Sequence, residues 1–562
     1  MMKTFKGFSL WRKIKEHPVL MEALQIRAVF SCVFGVVVFG AISYRLLDVM
    51  VIKNIPSQSR SAEESSETIA TLREDITDRN GEVLATCIAT ASCYADPAVV
   101  INIQETAQKL SLVEGMPDIE KISQKIYDKN KRFVWLARHI PPKTQQKIMD
   151  LGLPGICFRK DYKRIYPYGN LFSHTVGGTD IDGNGMYGIE RKFDDVLKSK
   201  KITLSLDVRV QGIVYDELKN AVEKFGAIGG NAMVMSTSGE IISIVSLPDF
   251  DPNYLRDDDI NSMFNRNTLG TYEPGSTFKI LNTAIALETG IANLGSQFDA
   301  TAPIKIGKFS ITDFRGKNRS LSLAEAFVFS SNIAAIKISQ QFGIEAQQKY
   351  MKSFGILDKC NLELPEVGMP IVPKNWSLPM SMTLSYGYGI SVTPLQLLSS
   401  VTSVVGGKGK TCPTLLLEKR HKQEIVVSQK TSEIMRDLMR ATICFGTARK
   451  AGVKGIEIFG KTGTAYKKVG IRGYGSGINR SRITTFIGGF SRKDPKYMLV
   501  VMLDDPKPTK ETFGYATAGW NAAPTAGKIF ERIVPILGDG NDILDEEDSD
   551  KNLIVTKYLK LN

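Results

Sequence analysis

The sequence predicts a mixed α/β (α+β) protein in three parts: one apolar helix near the N-terminus, a small α+β domain, and a larger domain with a central antiparallel sheet flanked by helices. Three observations lead to this prediction. An uncharged apolar run lies at residues 28–44, a glycine-rich mixed region follows from 76 to 200, and strand-like segments enclose a helical stretch between 202 and 505. At 562 residues the chain is too long for one ordinary domain.

The apolar run, AVFSCVFGVVVFGAISY, predicts a membrane-spanning helix, because it reaches the short end of the roughly 17–25 residues that cross a bilayer. Six basic residues precede it: Lys3, Lys6, Arg12, Lys13, Lys15 and Arg27. By the positive-inside rule the N-terminal arm then stays in the cytoplasm. We therefore predict a cytoplasmic arm at 1–27 and a single transmembrane helix at 28–48, with the remainder outside. A cleaved signal peptide and a buried soluble helix are the alternatives.

Residues 49–200 are predicted to hold a linker and the small domain. Residues 54–70 are polar and serine-rich, as flexible linkers are. The Asn80-Gly81 pair between apolar segments is typical of a β-hairpin. A glycine-rich stretch at 166–197 indicates turns that join short elements.

The larger domain is predicted at residues 201–540. A strand-like alternation followed by an amphipathic helical pattern covers 202–226, and 231–246 reads as two strands around a Ser238-Gly239 turn. Further strands are predicted at 455–468, 482–491 and 496–505. Strands at both ends with helices between them indicate one sheet with helices packed on it, rather than βαβ repeats.

The end of the chain and its composition limit the other possibilities. The last part, 541–562, contains an acidic segment at 542–550 that is typical of a disordered tail. The net charge of +13 does not indicate nucleic-acid binding, because no basic stripe with interleaved aromatic residues accompanies it. The four histidines and seven cysteines show no metal-ligand spacing, so we predict neither a metal nor a cofactor.

Catalytic chemistry is indicated first by Ser276 and Lys279 in TYEPGSTFKILNTA. Residues three apart on a helix are neighbours, so the two side chains can touch. A serine hydroxyl needs a base before it becomes a nucleophile, and a lysine can serve only when it is neutral. Desolvation and a helix N-terminus both disfavour the charged lysine. Alone the pair is weak evidence, because S-x-x-K arises by chance about once or twice in such a chain.

Two further motifs strengthen the indication. SSN supplies Ser330 and Asn332, and KTGT supplies Lys461, Thr462, Gly463 and Thr464. The patterns S-x-x-K, S-x-N and K-T-G each occur once, in this order. KTGT by itself would be interpreted as a strand-end turn. Together the three motifs resemble the active-site signature of penicillin-binding proteins and class A β-lactamases.

The resemblance extends from about residue 70 to 530. YEPGSTFK is similar to the nucleophile segment of class B penicillin-binding proteins, the monofunctional D,D-transpeptidases of bacterial cell-wall synthesis. LREDITDRNGEVLAT and RIYPYGN with GMYGIERKFDDVL resemble the two signatures of their N-terminal pedestal, although Glu74 departs from the usual Arg-Gly start. The matching residues are Arg73, Asp78, Arg79, Gly81, Arg164, Tyr166, Pro167, Gly169, Gly185, Gly188 and Glu190. TLSYGYGISVTPLQLLSS and GTARKAGVKGIEIFGKTGTA resemble the septal, division-specific branch.

The resemblance implies roles for the motif residues. Ser276 would attack an acyl carbonyl with Lys279 as its base. Ser330 would relay protons between Lys279 and Lys461, and Asn332 would bind both Lys279 and the substrate amide.

The resemblance also implies how substrate is held. Lys461 and the hydroxyls of Thr462 and Thr464 would bind the substrate carboxylate, and Gly463 would let a peptide approach the strand closely. The backbone N–H groups of Ser276 and Thr464 would form the oxyanion hole.

The family context implies partners and a place. The substrates would be peptidoglycan stem peptides ending in D-Ala-D-Ala, and β-lactams would be inhibitors. A membrane glycosyltransferase and other divisome proteins would be partners at the inner membrane, with the catalytic domain in the periplasm and no cofactor. A β-lactamase, a non-catalytic antibiotic sensor and an elongation-type transpeptidase are the alternatives.

Overall fold

The computed structural model describes residues 18–47, 72–307, 309–417, 424–467, 480–538 and 553–560. The chain divides into two units, residues 1–69 and 70–562. The predicted linker at 54–70 and the predicted acidic segment at 542–550 lie outside the described residues.

The first unit contains helix α1, Pro18–Leu47, which is 30 residues long. The predicted membrane span at 28–48 is helical as far as Leu47. Large apolar side chains along it are exposed, including Phe30, Phe34 and Phe39. Among the residues that the structure describes, no helix meets the length and apolarity needed to cross a membrane.

The second unit begins with a small α+β domain, here called the pedestal, that extends from residue 72 to about 200. Its strands are β1 (Ile76–Thr77), β2 (Val83–Ala95), β3 (Val134–Ile140), β4 (Ile156–Ile165), β5 (Gly178–Thr179) and β6 (Gly185–Tyr187). Its helices are α2 (Ile103–Ser111), α3 (Ile119–Ile126), α4 (Pro142–Asp150), α5 (Ser173–Val176), α6 (Gly188–Lys192) and α7 (Asp194–Leu197). Strand β2 pairs antiparallel with β1, β3 and β4.

The predicted hairpin at Asn80-Gly81 joins β1 to β2. The Asp78 N–H donates to the Glu82 carbonyl at 2.8 Å, and Gly81 adopts φ +92° in the turn. On its other side β1 pairs in parallel with β7 (Ile202–Thr203), the strand that leads into the larger domain. The pedestal and the larger domain are therefore joined through a shared sheet edge.

A buried ion network connects the two pedestal signatures. Glu190 is fully buried and accepts from Arg73 Nη2 at 2.6 Å and from Arg164 Nε at 2.7 Å. Arg73 also reaches Asp194 at 2.6 Å, and the Tyr166 hydroxyl donates to Glu190 at 3.4 Å. Buried arginines are stable in this position because carboxylates neutralise them.

A five-stranded antiparallel sheet organises the larger domain. Its strands and the small hairpins beside it are β8 (Gly229–Ser236), β9 (Ile241–Leu247), β10 (Gln297–Asp299), β11 (Ile304–Ile306), β12 (Phe309–Ile311), β13 (Ser320–Ser322), β14 (Ile458–Tyr466), β15 (Arg482–Phe490) and β16 (Tyr497–Asp504). The order across the main sheet is β14-β15-β16-β8-β9. All five predicted strand segments of this sheet are present, and β14 lies at its edge.

Helices cover both faces of this sheet. They are α8 (Val208–Lys224), α9 (Lys279–Glu288), α10 (Leu323–Val328), α11 (Asn332–Ser353), α12 (Leu378–Leu384), α13 (Pro394–Val405), α14 (Gln429–Phe445) and α15 (Ala522–Leu537). Alternate residues of a strand point to opposite faces. On β8, Ala232 and Val234 pack with α8 and α15, whereas Met233 and Met235 pack with α9, α11, α13 and α14. The predicted sheet with flanking helices is thus a three-layer structure.

Residues 553–560 return to the larger domain near helix α10. The Ser322 hydroxyl donates to the Tyr558 carbonyl at 2.8 Å, and the Lys560 N–H donates to Glu325 Oε1 at 2.9 Å. This part of the predicted tail is therefore ordered and packed.

Candidate active site

The serine of the first motif lies on a sharp turn before a buried helix. Ser276 belongs to a 3₁₀ turn, Gly275–Phe278, that leads directly into α9. Within residues 273–286 only Ser276 is partly exposed, and all the remaining residues are buried. Side chains three apart in a 3₁₀ turn eclipse each other, so Ser276 and Lys279 lie on the same side. The turn therefore presents a serine hydroxyl at a surface that is otherwise closed.

Lys279, the first residue of α9, is only 2% exposed. Its Nζ lies 2.6 Å from the Ser330 carbonyl oxygen, 2.7 Å from Asn332 Oδ1 and 3.2 Å from Ser330 Oγ. Burial and the charge of Lys461 hold the pKa of Lys279 well below its usual value, against a smaller opposing effect of Asp313. The site thus contains an amine that can exist unprotonated beside a serine.

The SSN segment turns sharply toward this lysine. Ser330 adopts φ +61°, which non-glycine residues rarely do, and both its carbonyl and its hydroxyl face Lys279. Asn332 begins α11 and accepts from Lys279 through Oδ1, while its Nδ2 donates to the Thr312 carbonyl at 3.0 Å. The amide is therefore held in one orientation.

Asp313 holds the SSN segment in place. Its carboxylate accepts from the Ser331 hydroxyl at 2.6 Å and from the backbone N–H groups of Asn332 and Ile333 at 2.5 and 3.1 Å. These N–H groups belong to the start of α11, where no intrahelical acceptor exists. The negative charge also suits the positive end of the helix dipole.

Lys461 approaches the same place from strand β14. It is fully buried, its Nζ lies 5.9 Å from the centre of the Phe327 ring, and it donates to the Thr462 carbonyl at 3.3 Å. Burial lowers the pKa of Lys461 to about 7. Among the residues described, no carboxylate forms an ion pair with Lys461 or with Lys279.

Strand β14 and the turn that contains Ser276 are in close contact. A Cβ on Gly463 would lie 2.8 Å from Thr277 Cγ2 and 2.9 Å from the Pro274 carbonyl oxygen. A Cβ on Gly275, which adopts φ +55°, would lie 3.0 Å from the Thr464 carbonyl oxygen. From the sequence, Gly463 was expected to let a substrate peptide approach the strand closely. In the structure this glycine allows β14 to approach the serine turn.

The two threonines of KTGT contact protein groups on the other side of β14. Thr462 Oγ1 shares a hydrogen bond with Thr447 Oγ1 at 2.6 Å, and Thr464 Oγ1 accepts from the Ala518 N–H at 3.2 Å. A hydroxyl that accepts a hydrogen bond keeps its own proton for another partner. Thr464 can therefore still donate to a substrate carboxylate.

The structure brings all three motifs together and adds residues that the sequence interpretation did not single out. Asp313 gave no signal, because it reaches the SSN segment by tertiary folding. Thr447 and the SYGYG stretch lie in segments noted only for their resemblance. In the structure the Gly387 carbonyl accepts from the Gly275 N–H at 3.0 Å, and the Tyr388 hydroxyl accepts from the Tyr466 N–H at 3.2 Å. SYGYG thus supports both the serine turn and β14.

Metal chemistry has no candidate residues in the described ranges, where no group of three or more His, Cys, Asp or Glu side chains could hold an ion. All seven cysteines lie in the described ranges, and none of them forms a disulfide bond there.

Two family models match the chain. The penicillin-binding protein dimerisation domain matches residues 68–227, and the penicillin-binding protein transpeptidase domain matches residues 230–531, more than half of the chain. The chain belongs to the penicillin-binding proteins. The match confirms the predicted family and the predicted pairing of a pedestal with a transpeptidase domain.

Curated relatives give the class of this penicillin-binding protein. It is 33% identical over 485 residues to the probable peptidoglycan D,D-transpeptidase FtsI of Caulobacter vibrioides, with 83% of this chain and 81% of the relative covered. It is 31% identical over 516 residues to the probable peptidoglycan D,D-transpeptidase PenA of Neisseria meningitidis, with 84% and 86% covered. These relatives confirm the predicted class B D,D-transpeptidase.

A solved structure confirms the fold. Penicillin-binding protein 3 of Mycobacterium tuberculosis, in complex with aztreonam, matches with a TM-score of 0.67 and 22% identity. The match covers 84% of this chain and 97% of that chain. At this identity the likeness concerns the fold alone, which is the mixed α/β transpeptidase fold with its dimerisation domain.

The dimerisation match ends at residue 227, beyond the boundary that we predict at 200. The segment between these two points contains α8. Val210, Val214 and Leu218 of this helix are fully buried in the core cluster that covers the transpeptidase sheet. By its packing, α8 therefore belongs with the larger domain.

Proposed function

We propose that this penicillin-binding protein cross-links stem peptides through an acyl-enzyme on Ser276. The observation that carries the proposal is the buried Lys279, whose pKa is held low one turn after a partly exposed serine. Neutral Lys279 takes the hydroxyl proton as Ser276 Oγ attacks the carbonyl of the penultimate D-Ala. The C–N bond breaks, and the leaving D-Ala amine takes up the proton. An amine of a second stem peptide then displaces Ser276 by the same steps in reverse order.

The SSN residues and Lys461 assist this proton transfer. Ser330 relays protons between Lys279 and Lys461, a role supported by the 3.2 Å contact of its Oγ with Lys279. Asn332 positions Lys279 through Oδ1, and its Nδ2 carries a second N–H for the substrate amide. Burial keeps the pKa of Lys279 low, and the positive charge of Lys461 lowers it further.

Substrate binds along the edge strand β14. Lys461, Thr462 and Thr464 hold the terminal carboxylate, and the proposal is supported by the position of β14 at the edge of the sheet and by the free proton of the Thr464 hydroxyl. Gly463 keeps this strand against the serine turn. The N–H groups of Ser276 and Thr464 stabilise the oxyanion, usually the largest single catalytic effect.

The enzyme acts from the inner membrane, with a cytoplasmic arm at 1–27, a span at 28–48, a linker and pedestal at 49–200, the transpeptidase domain at 201–540 and a tail at 541–562. Support for the span comes from the exposed apolar side chains of α1 and from the basic residues before it. The catalytic domain then lies in the periplasm. Its partners are a membrane glycosyltransferase and other divisome proteins.

Acylation by a penicillin tests the catalytic assignment. Detergent-solubilised full-length protein should form a stable fluorescent adduct with a labelled penicillin, and Ser276→Ala should abolish it. Ser199→Ala, which removes an exposed pedestal hydroxyl, should label like the wild type. Persistent labelling of Ser276→Ala would overturn the assignment, and release of the adduct within minutes would favour a β-lactamase.

The septal role rests on the resemblance of two stretches, 383–400 and 446–465, to the division branch. Depletion of the protein should therefore give filamentous cells, because septal wall synthesis stops while elongation continues. Rounded cells would instead assign the protein to elongation.

A further inference from the structure

Strand β14 carries a row of backbone hydrogen-bonding groups on its side away from β15, here called the open side. The Lys467 N–H donates to the Ser481 carbonyl at 2.9 Å, toward β15, whereas the Tyr466 N–H donates to the Tyr388 hydroxyl at 3.2 Å on the open side. Backbone groups of alternate residues in an antiparallel strand point to the same side. The residues whose backbone groups face the open side are therefore Thr462, Thr464 and Tyr466.

The middle residue of this row lies beside the reacting serine. A Cβ on Gly275, the residue before Ser276, would lie 3.0 Å from the Thr464 carbonyl oxygen. In an antiparallel hydrogen-bonded pair, two facing residues exchange both of their N–H···O bonds. A donor residue paired with Thr464 therefore donates its N–H to the Thr464 carbonyl and has its own carbonyl at the proposed oxyanion hole.

The two neighbouring positions of the row are already engaged by side chains. The Thr462 carbonyl accepts from Lys461 Nζ at 3.3 Å, and the Tyr466 N–H donates to the Tyr388 hydroxyl. In the proposed binding mode the terminal carboxylate lies at Lys461 and Thr462, so the rest of the donor extends toward Tyr466. The Tyr388 hydroxyl thus holds the N–H group that a longer paired donor would need.

The serine turn itself holds Tyr388 in place. On one side of Tyr388 the Gly387 carbonyl accepts from the Gly275 N–H at 3.0 Å, and on the other side the Gly389 N–H donates to Glu273 Oε1 at 3.0 Å. Burial raises the pKa of Tyr388 to about 12, so the phenol stays neutral at neutral pH. The hydroxyl that caps β14 is therefore fixed relative to the nucleophile.

We propose that Tyr388 limits the pairing between donor and β14 to the single residue that faces Thr464. The residue before the scissile bond pairs with Thr464, and the donor then leaves the strand because the next N–H is occupied. Tyr388 thereby determines specificity, since acylation gains nothing from peptide backbone two residues before the penultimate D-Ala. This inference rests on the proposed acylation of Ser276.

Two thioester donors of different length test the limit. In both, thioglycolate stands in for the leaving D-Ala and keeps its carboxylate. Acetyl-D-Ala-thioglycolate ends at the paired residue, whereas acetyl-Gly-Gly-D-Ala-thioglycolate adds the carbonyl that would accept from the Tyr466 N–H. The value of kcat/KM for each donor is measured on detergent-solubilised full-length protein, from the release of thioglycolate followed by liquid chromatography.

The quantity compared is the ratio of kcat/KM for the long donor to that for the short donor. Tyr388→Ala releases the Tyr466 N–H, so the ratio should rise about two- to tenfold over wild type, the factor that one hydrogen bond represents. Tyr388→Phe also releases this N–H but leaves the ring in place, so its ratio should rise less. Tyr350→Ala is the control, because Tyr350 is a partly exposed tyrosine near the C-terminal end of α11. Its ratio should equal that of the wild type.

The outcomes are distinct. An unchanged or lower ratio in Tyr388→Ala would overturn the limit, as would an equal rise in Tyr350→Ala. An equal fall in kcat/KM for both donors would also overturn it, since Tyr388 would then only support β14. Labelling by a fluorescent penicillin shows that each variant is folded. If Tyr388→Ala is not labelled, an unchanged ratio in Tyr388→Phe would overturn the limit. Absence of any adduct at Ser276 in the wild type would instead overturn the proposed function.

Discussion

Two groups of buried cations in the described part of the chain, one in the pedestal and one in the cleft, have opposite consequences. In the pedestal, Arg73 and Arg164 are 2% and 7% exposed, and both pair with the fully buried Glu190. In the cleft, Lys279 and Lys461 are 2% and 0% exposed, and their hydrogen-bond acceptors are carbonyl, hydroxyl and amide oxygens. All four side chains are buried, whereas their hydrogen-bond partners differ.

Burying a positive charge costs free energy, and the two regions offset this cost in different ways. A guanidinium cannot lose its proton in a protein, so a buried arginine needs a carboxylate and then forms a fixed joint. A buried lysine without a carboxylate can avoid the desolvation cost of its charge by losing its proton. The pedestal therefore gains a rigid connection between its signatures, and the cleft gains an amine that can be neutral, as the proposed base must be.

The largest expected effect is a loss of acylation rate when Lys279 of the cleft is replaced by a cation that stays protonated, like the buried arginines of the pedestal. Lys279→Arg places a cation that stays protonated beside Ser276, so acylation should fall by about 10²–10⁴-fold, the usual contribution of a general base. Lys279→Met should lose as much, because it too lacks a base. Rates of penicillin acylation measure the effect. Lys337→Arg, on helix α11, is the control, and a loss under tenfold in both Lys279 variants would contradict the assignment of the base.

The next largest effect is a loss of stability when the buried arginines of the pedestal are left, like the lysines of the cleft, without their carboxylate Glu190. Glu190→Gln leaves two buried guanidiniums without their shared carboxylate, so the pedestal should lose about 3–5 kcal/mol of stability. Denaturant unfolding measures this loss, and the acylation rate of the folded protein should stay unchanged. Glu105→Gln, which removes an exposed pair with Lys109, should cost less than about 0.5 kcal/mol. Equal losses of stability in the two variants would show that the buried network around Glu190 stabilises the pedestal no more than an exposed ion pair does.

The smallest effect is a dependence of stability on pH. Unfolded lysine keeps its proton up to about pH 10.4, whereas folded Lys461 loses it at about pH 7. Between these values the unfolded state binds more protons, so stability should rise with pH, and below pH 7 the full cost of burying the charge remains. Lys461→Met should lack this contribution. Equal changes in unfolding free energy between pH 7 and 9.5 for wild type and variant would argue against a depressed pKa.

Much of the fold and the motif residues could be predicted from local sequence. The strands 482–490 and 497–504 match their predicted ranges within a residue, because apolar runs bounded by turn residues define them. The hairpin at Asn80-Gly81 also follows from local turn chemistry. The three motifs identified the cleft because each carries its own chemistry.

The supporting residues could not be predicted in this way. The contacts of Asp313 with the SSN segment and the close fit of Gly463 against Thr277 both depend on distant segments meeting in space. Charged, aromatic and glycine residues occur throughout the chain, and no periodicity marks the few that form such contacts. The ordered segment at 553–560 was missed for the same reason, since its partners lie more than 200 residues away.

Direct titration of the two buried lysines tests the account most closely. Full-length protein labelled with ¹³C at lysine Cε can be followed by NMR across pH, with the two resonances assigned from Lys279→Arg and Lys461→Arg. We predict that Lys461 titrates near pH 7 and that Lys279 titrates well below its usual value. Titration of both near pH 10.4, the value of an ordinary lysine, would show that the cleft holds two permanent cations and no base.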